Sequence, residues 1–109
     1  MLIGGSGLRD WVLQRLSAVY LGIYLIILSV FAYKLPHTYV AWQALFENSL
    51  VQITTLLALV CLMVHAWIGI CTIANDYIKS TFIRYLFQSV VLLMLFTYFV
   101  WGINILWGV

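Results

Sequence analysis

The few charged residues of this 109-residue chain are separated by three long uncharged stretches. Residues 16–33, 48–75 and 85–109 contain no Asp, Glu, Lys or Arg. Each stretch supplies the roughly 20 residues that a helix needs to cross about 30 Å of hydrocarbon. Because a backbone in lipid has no water to bond, helices are the expected spanning structure. We predict one all-α membrane domain, residues 1–109, with transmembrane helices near 12–34, 49–74 and 82–106.

The composition also places the chain in lipid. Hydrophobic residues make up 66% of it and charged residues 7%, whereas a soluble domain carries about 25% charged residues. The first apolar run is longer than the core of a typical secretory signal and lacks a small-x-small cleavage pattern, so we predict an anchor. The net charge of +2 is too small and too dispersed for a nucleic-acid patch. We therefore expect membrane lipid as the surroundings and no nucleic-acid partner.

Three helices have little interior of their own, since much of each helix surface faces outward. We therefore expect helices of another subunit to pack against them. Within the chain, the outer loop at residues 35–49 places Trp42 and Phe46 four residues apart, which is typical of a short interfacial helix. Cys61 and Cys71 lie about 80° and about 15 Å apart on one helix. That separation predicts two free thiols and no disulfide.

The basic residues predict the orientation in the membrane. Arg9, Arg15, Lys79 and Arg84 lie on one side of a three-helix arrangement, and only Lys34 lies on the other. Because basic loops stay in the cytoplasm, this asymmetry predicts a cytoplasmic N-terminus and a C-terminus outside.

His65 lies deep in the second predicted helix, about ten residues or about 15 Å from Asn75. An ionisable side chain at this depth is a functional candidate by default. It could be a neutral histidine that bonds a neighbouring helix, or a metal or haem ligand. Gly69, one turn away, leaves space for a flat macrocycle, although small residues also serve close helix packing. Because His37 lies in the outer loop, a second axial ligand would have to come from another chain.

Several motifs together resemble a known family. The motif H-A-W-I-G occupies residues 65–69. Six residues separate it from Asp76 and Tyr77, and the basic residue Lys79 follows. R-D-W-V-L-Q-R at residues 9–15, T-L-L-A-L at 55–59 and W-G-V at the end of the chain complete the pattern. The chain is similar to the smaller of the two cytochrome b membrane anchors of succinate dehydrogenase, respiratory complex II. It departs at Ser80, where some bacterial relatives have proline, which affects only the loop.

This resemblance implies a redox role shared with other subunits. It implies that His65 is an axial ligand of a haem b shared with the larger cytochrome b anchor subunit. It also implies that Tyr77 donates a hydrogen bond to a ubiquinone carbonyl, with Asp76 beside it. The iron–sulfur subunit would complete the quinone pocket and dock, with the flavoprotein subunit, at the cytoplasmic face of a bacterial inner membrane. The C-terminus would then be periplasmic.

Simpler roles remain open for three of these residues. Tyr77 could be an aromatic residue of the membrane interface, and Asp76 could pair with Lys79 or Arg84. Arg15 could extend its guanidinium to the headgroups, or hold a haem propionate in a bidentate pair. Gln14 and Ser17 lie nearby in the chain, but no sequence feature separates them from packing residues.

The expected function is therefore that of an anchor and electron-transfer subunit that is not an enzyme by itself. The sequence contains no flavin or nicotinamide fingerprint and no cysteine cluster, so succinate oxidation is expected elsewhere. Two alternatives are the anchor of a quinol:fumarate reductase and a small non-redox packing or transport protein. A transporter is expected to carry a charged residue at mid-membrane. Between Glu47 and Asp76, His65 is the only ionisable candidate of this kind.

The predicted orientation can be checked with reporter fusions. A reporter fused after Val109 should be active only outside the cytoplasm, and a reporter inserted near Lys79 only inside it, because of the asymmetry of basic residues. Paired fusions to alkaline phosphatase and a fluorescent protein would measure this. Cytoplasmic activity of the Val109 fusion would contradict the orientation.

Overall fold

The computed structural model describes residues 7–108, which form four helices and no strand. In chain order they are α1 (Gly7–Lys34), α2 (Tyr39–Glu47), α3 (Ser49–Tyr77) and α4 (Thr81–Trp107). Helices α1, α3 and α4 are each long and apolar enough to cross a membrane. The prediction of an all-α chain with three transmembrane helices is confirmed.

Two helices extend beyond their expected limits at the end that carries the basic residues. Helix α1 begins at Gly7, and Asp10 in its first turn complements the positive end of the helix dipole. Helix α3 continues through Asp76 to Tyr77, so both residues belong to its last turn. There the Lys79 ammonium donates a hydrogen bond of 3.2 Å to the backbone carbonyl of Asp76. This bond stabilises the C-terminal end of α3.

The short helix α2 lies where the sequence predicted an interfacial helix. Thr38 caps its first turn, because the Thr38 hydroxyl accepts a 3.2 Å hydrogen bond from the Ala41 amide. The rings of Trp42 and Phe46 stack with centroids 6.2 Å apart. Asn48 then ends α2 and caps α3, so the chain turns directly into its second long helix.

Helix α3 is the central element and packs against α1, α2 and α4. Its buried residues are small or medium in size: Ala58, Ile68, Cys71 and Ala74. Gly102 brings α4 close to α3, since a Cβ atom at this position would lie 3.1 Å from Leu59 Cδ1. Small residues at contacts are how membrane helices approach closely without a hydrophobic driving force.

Hydrogen bonds reinforce the contact between α1 and α3. On α1, Ser17, Tyr20 and Tyr24 lie three and four residues apart and therefore share one helix face. Each of these side chains contacts α3. Tyr20 Oη donates a hydrogen bond of 2.7 Å to the Thr54 carbonyl, and Tyr24 Oη shares a hydrogen bond of 2.7 Å with Thr55 Oγ1. Ser17 Oγ lies 3.3 Å from His65 Nδ1. These contacts set the register between two antiparallel helices.

Most large apolar side chains of the three long helices face outward. Among the described residues, the buried hydrophobic ones are Ala58, Ile68, Cys71, Ala74 and Leu106. Leu16, Ile26 and Leu93 are examples of large side chains that stay mostly exposed. This surface suits lipid and the helices of partner subunits.

We expect Tyr20→Phe to lower the free energy of unfolding by about 0.6 kcal/mol, the average for an interhelical hydrogen bond in a membrane protein. The loss is small because the Thr54 carbonyl keeps its bond within α3. Unfolding by SDS in mixed micelles, followed by circular dichroism, would measure it. Tyr33→Phe is the matched control, since Tyr33 is 89% exposed. An equal loss in both variants would contradict a specific role for the Tyr20 bond.

Candidate functional site

His65 lies near the middle of α3, one of the three helices long and apolar enough to span a membrane. It is half-buried, about 24 Å from the start of the helix at Ser49 and about 18 Å from its end at Tyr77. The imidazole faces α1. An ionisable group at this depth needs a protein partner for each polar atom, because hydrocarbon offers none.

Ser17 of α1 is the partner of one imidazole nitrogen. It is the one buried polar residue within 7–108, with 5% of its surface exposed. Its Oγ lies 3.0 Å from the Gln14 carbonyl and 3.3 Å from His65 Nδ1. No described residue makes a hydrogen bond to His65 Nε2. One nitrogen is therefore held by the protein, and the other stays available to a ligand.

The sequence did not distinguish Ser17 from its neighbours. Serine is common on helix faces, and only the antiparallel register of α1 and α3 places this hydroxyl at the level of His65. The available signal was the spacing of Ser17, Tyr20 and Tyr24, which puts three hydroxyls on one face of a helix.

Gly69 lies one turn from His65 on the same face of α3. A Cβ atom added there would lie 3.4 Å from Gln14 Nε2, which is an ordinary van der Waals distance. The side chain of Gln14 therefore bounds the space that the sequence predicted beside the imidazole. Gly69 therefore lies at the close contact between α1 and α3.

A cleft of about 610 Å³ opens between α1 and α3 on the Asp76 side of His65. Its lining is rich in polar residues, namely Asp10, Gln14, Arg15, Thr72, Asn75 and Asp76. Tyr77 is not part of the lining. The structure thus brings Arg15 and Asp76 to one cavity, whereas Tyr77, in the last turn of α3, does not line it.

Two buried oxygens in this cleft lack partners. Asp10 Oδ1 and Gln14 Oε1 accept no hydrogen bond from any residue of the described chain. Buried polar atoms are nearly always paired with protein or water. These acceptors therefore point to donors other than residues 7–108, such as water or a neighbouring subunit.

The Arg15 guanidinium lies 5.2 Å from the centre of the Trp11 ring, over its face. This cation–π contact holds the side chain, which lines the cleft together with Trp11. Arg15 is about 3 Å along the α1 axis from Ser17, on the side away from the membrane centre. The position suits both roles considered for it, a headgroup contact and a contact to an acidic group of a ligand near His65.

Asp76 and Tyr77 are exposed at the end of α3, and Tyr77 retains 78% of its accessible surface. Lys79 bonds the Asp76 carbonyl, and Arg84 Nη1 donates to the Ile78 carbonyl at 3.4 Å. Neither basic group pairs with the Asp76 carboxylate, so the ion pairs considered for it are not formed in this structure. The carboxylate and the phenol are left open to other molecules.

The other candidate ligands lie apart from His65. His37 Nε2 donates to the Ala32 carbonyl at 3.1 Å, beside the far end of α1. Cys61 and Cys71 are both free thiols, as predicted. Between Gly7 and Gly108 no three His, Cys, Asp or Glu side chains gather into a metal site. A haem needs only a single ligand from this chain if another chain supplies the second.

Comparison with known proteins decides the family. A protein-family model described as "Succinate dehydrogenase/Fumarate reductase transmembrane subunit" matches residues 4–104. The chain belongs to this family. Among curated proteins, it is similar to the succinate dehydrogenase hydrophobic membrane anchor subunit of Coxiella burnetii (strain RSA 493 / Nine Mile phase I). The two are 42% identical over 102 residues, which cover 93% of this chain and 89% of the relative. The resemblance found in the sequence is confirmed.

Proposed function

We propose that this chain is the hydrophobic membrane anchor of a succinate:ubiquinone oxidoreductase. In this role it contributes one axial ligand of a haem b and part of the ubiquinone-reduction site. His65 carries the proposal, because its Nδ1 is held by Ser17 while Nε2 has no partner within the described chain. A second candidate is the anchor of a quinol:fumarate reductase, since the family includes both kinds of enzyme.

Two residues of this chain would hold the haem. His65 Nε2 would bind the iron from mid-membrane, and the larger cytochrome b anchor subunit would supply the other axial ligand. Arg15, which lines the cleft, would pair with a propionate through its planar guanidinium. The haem, when bound, supplies a one-electron carrier within the membrane.

The exposed end of α3 would contribute to the quinone site. Reduction of ubiquinone takes two electrons and two protons, and negative charge develops on its carbonyl oxygens. The Tyr77 hydroxyl would donate a hydrogen bond to one of these oxygens. Asp76 adjoins it and lines the polar cleft, so its carboxyl group would pass protons from water to the site. The larger anchor and the iron–sulfur subunit would enclose the rest of the quinone.

Partner subunits would cover the surfaces that this chain leaves open. The larger anchor would pack on the exposed apolar face, and the iron–sulfur and flavoprotein subunits would dock at the end that carries Asp76 and Tyr77. With the predicted orientation, that end faces the cytoplasm of a bacterial inner membrane. Succinate would be oxidised in the flavoprotein, so this chain is not an enzyme by itself.

We expect His65→Leu to abolish or alter the absorbance of a low-spin b-type haem, because leucine keeps α3 apolar but removes the iron ligand. The reduced-minus-oxidised optical spectrum of the complex, purified through a tag on this chain, would measure it. His37→Leu is the matched control, because His37 bonds the end of α1 and lies on the other side of the membrane.

An unchanged spectrum in His65→Leu would reject His65 as an axial ligand. It would leave the histidine with only its helix-packing contact to Ser17. The absence of any haem in the wild-type complex would favour the non-redox alternative.

We expect Tyr77→Phe to slow electron transfer from succinate to ubiquinone at least tenfold, about 1.4 kcal/mol of barrier. Loss of a single oxyanion donor costs about 10²–10³ in rate when that donor dominates, and less where partner subunits supply others. Succinate-dependent reduction of an artificial dye, which takes electrons upstream, should stay near wild type. The haem spectrum should also persist, because His65 is about 18 Å away.

The matched control is Tyr85→Phe, since Tyr85 is a 60% exposed tyrosine near the start of α4. It should retain quinone reduction. Normal quinone reduction and normal inhibitor binding in Tyr77→Phe would show that Tyr77 is only an aromatic residue of the membrane interface.

A further inference from the structure

The Ser17 hydroxyl contacts two atoms with different hydrogen-bonding chemistry. The Gln14 carbonyl, 3.0 Å away, can only accept a hydrogen bond. His65 Nδ1, 3.3 Å away, donates or accepts according to the imidazole tautomer. Ser17 is buried where α1 packs against α3.

A count of the available protons selects one arrangement. A serine hydroxyl has a single hydrogen, and the 3.0 Å contact to the Gln14 carbonyl uses it, because two oxygens at that distance need a hydrogen between them and the carbonyl has none. The Ser17 oxygen then presents only lone pairs toward His65, so Nδ1 must carry the hydrogen and donate it. A neutral imidazole has one N–H group. Nε2 is therefore left with its lone pair exposed, as an iron ligand requires.

We propose that Ser17 is a positioning residue that holds His65 in its Nδ1–H tautomer and turns Nε2 toward the ligand. This inference rests on the proposed function, in which Nε2 binds haem iron. Its further consequence is electronic. When the nitrogen that does not bind iron, here Nδ1, donates a hydrogen bond, the imidazole becomes a more basic ligand. A more basic ligand favours the ferric state of the haem iron. Ser17 would therefore lower the haem midpoint potential as well as orient the ring.

Another serine of α1 provides a control for the hydrogen bond from Ser17 to the Gln14 carbonyl. Ser29 lies on the same helix, and its Oγ donates to the Leu25 carbonyl at 2.7 Å. Ser29→Ala removes the same kind of bond within α1 without affecting His65. Ser17→Thr keeps a hydroxyl that can still bond the carbonyl three or four residues earlier, so it is the conservative rescue.

The test is a potentiometric titration of the haem in the purified complex, together with the electron paramagnetic resonance spectrum of its ferric state. We expect Ser17→Ala to raise the midpoint potential and shift the low-spin g values. Ser17→Thr and Ser29→Ala should match wild type, and succinate-dependent dye reduction should be unchanged in all three. If Ser17→Ala does not assemble, Ser17→Cys keeps the volume but offers only a weak donor and acceptor, and the same upward shift is expected.

A haem with unaltered potential and g values in Ser17→Ala, or in Ser17→Cys where that variant is needed, would overturn the inference. The proposed function would still stand if His65→Leu removes the haem signal. An equal shift in Ser17→Thr and Ser17→Ala would also overturn it, because the cause would then be packing and not the hydroxyl. If His65→Leu leaves the haem spectrum unchanged, the proposed role of His65 as a haem ligand is wrong, and the inference about Ser17, which rests on it, is wrong as well.

Discussion

The contact between α1 and α3 is the interaction on which the rest of this structure depends. Hydrocarbon offers no hydrogen-bond partner, and the hydroxyls of Tyr20 and Tyr24 on α1 find theirs on α3. These bonds lie near the N-terminal end of α3 and set how the two helices align along their length. That alignment carries Ser17 to the level of His65. The geometry of the candidate ligand therefore follows from bonds made about three turns away along α3.

The hydrocarbon surroundings also explain why this chain supplies only part of the candidate site. Burying apolar side chains away from lipid gives no hydrophobic stabilisation. Most of them therefore face outward, and the helices contact each other through small residues. Residues 7–108 thus present one deep histidine, a cleft with two acceptors that have no partner among these residues, and an exposed carboxylate and phenol. Each of these features is incomplete alone, as expected of a subunit whose surfaces are shared.

Helix α3 ties the two parts of the proposed function together. His65 lies near its centre, and Asp76 and Tyr77 form its last turn, so one rigid element holds the proposed haem ligand and the proposed quinone contact about 18 Å apart. The extension of α3 through these residues matters for this reason. Lys79 supports the helix end by bonding a backbone carbonyl, which leaves the Asp76 carboxylate open toward the cleft.

The amino-acid sequence by itself determined the helices and the family. Uncharged stretches long enough to span hydrocarbon leave little choice but helices, and the residues from His65 to Tyr77 carried a resemblance that the family match confirmed. Only the tertiary structure decided that Ser17 holds His65, that Gln14 bounds the space at Gly69, and that Lys79 bonds a carbonyl instead of the Asp76 carboxylate. Hydropathy records that a helix lies in lipid, but it does not record the rotation or axial register of one helix against another. Those two quantities decide which polar groups meet.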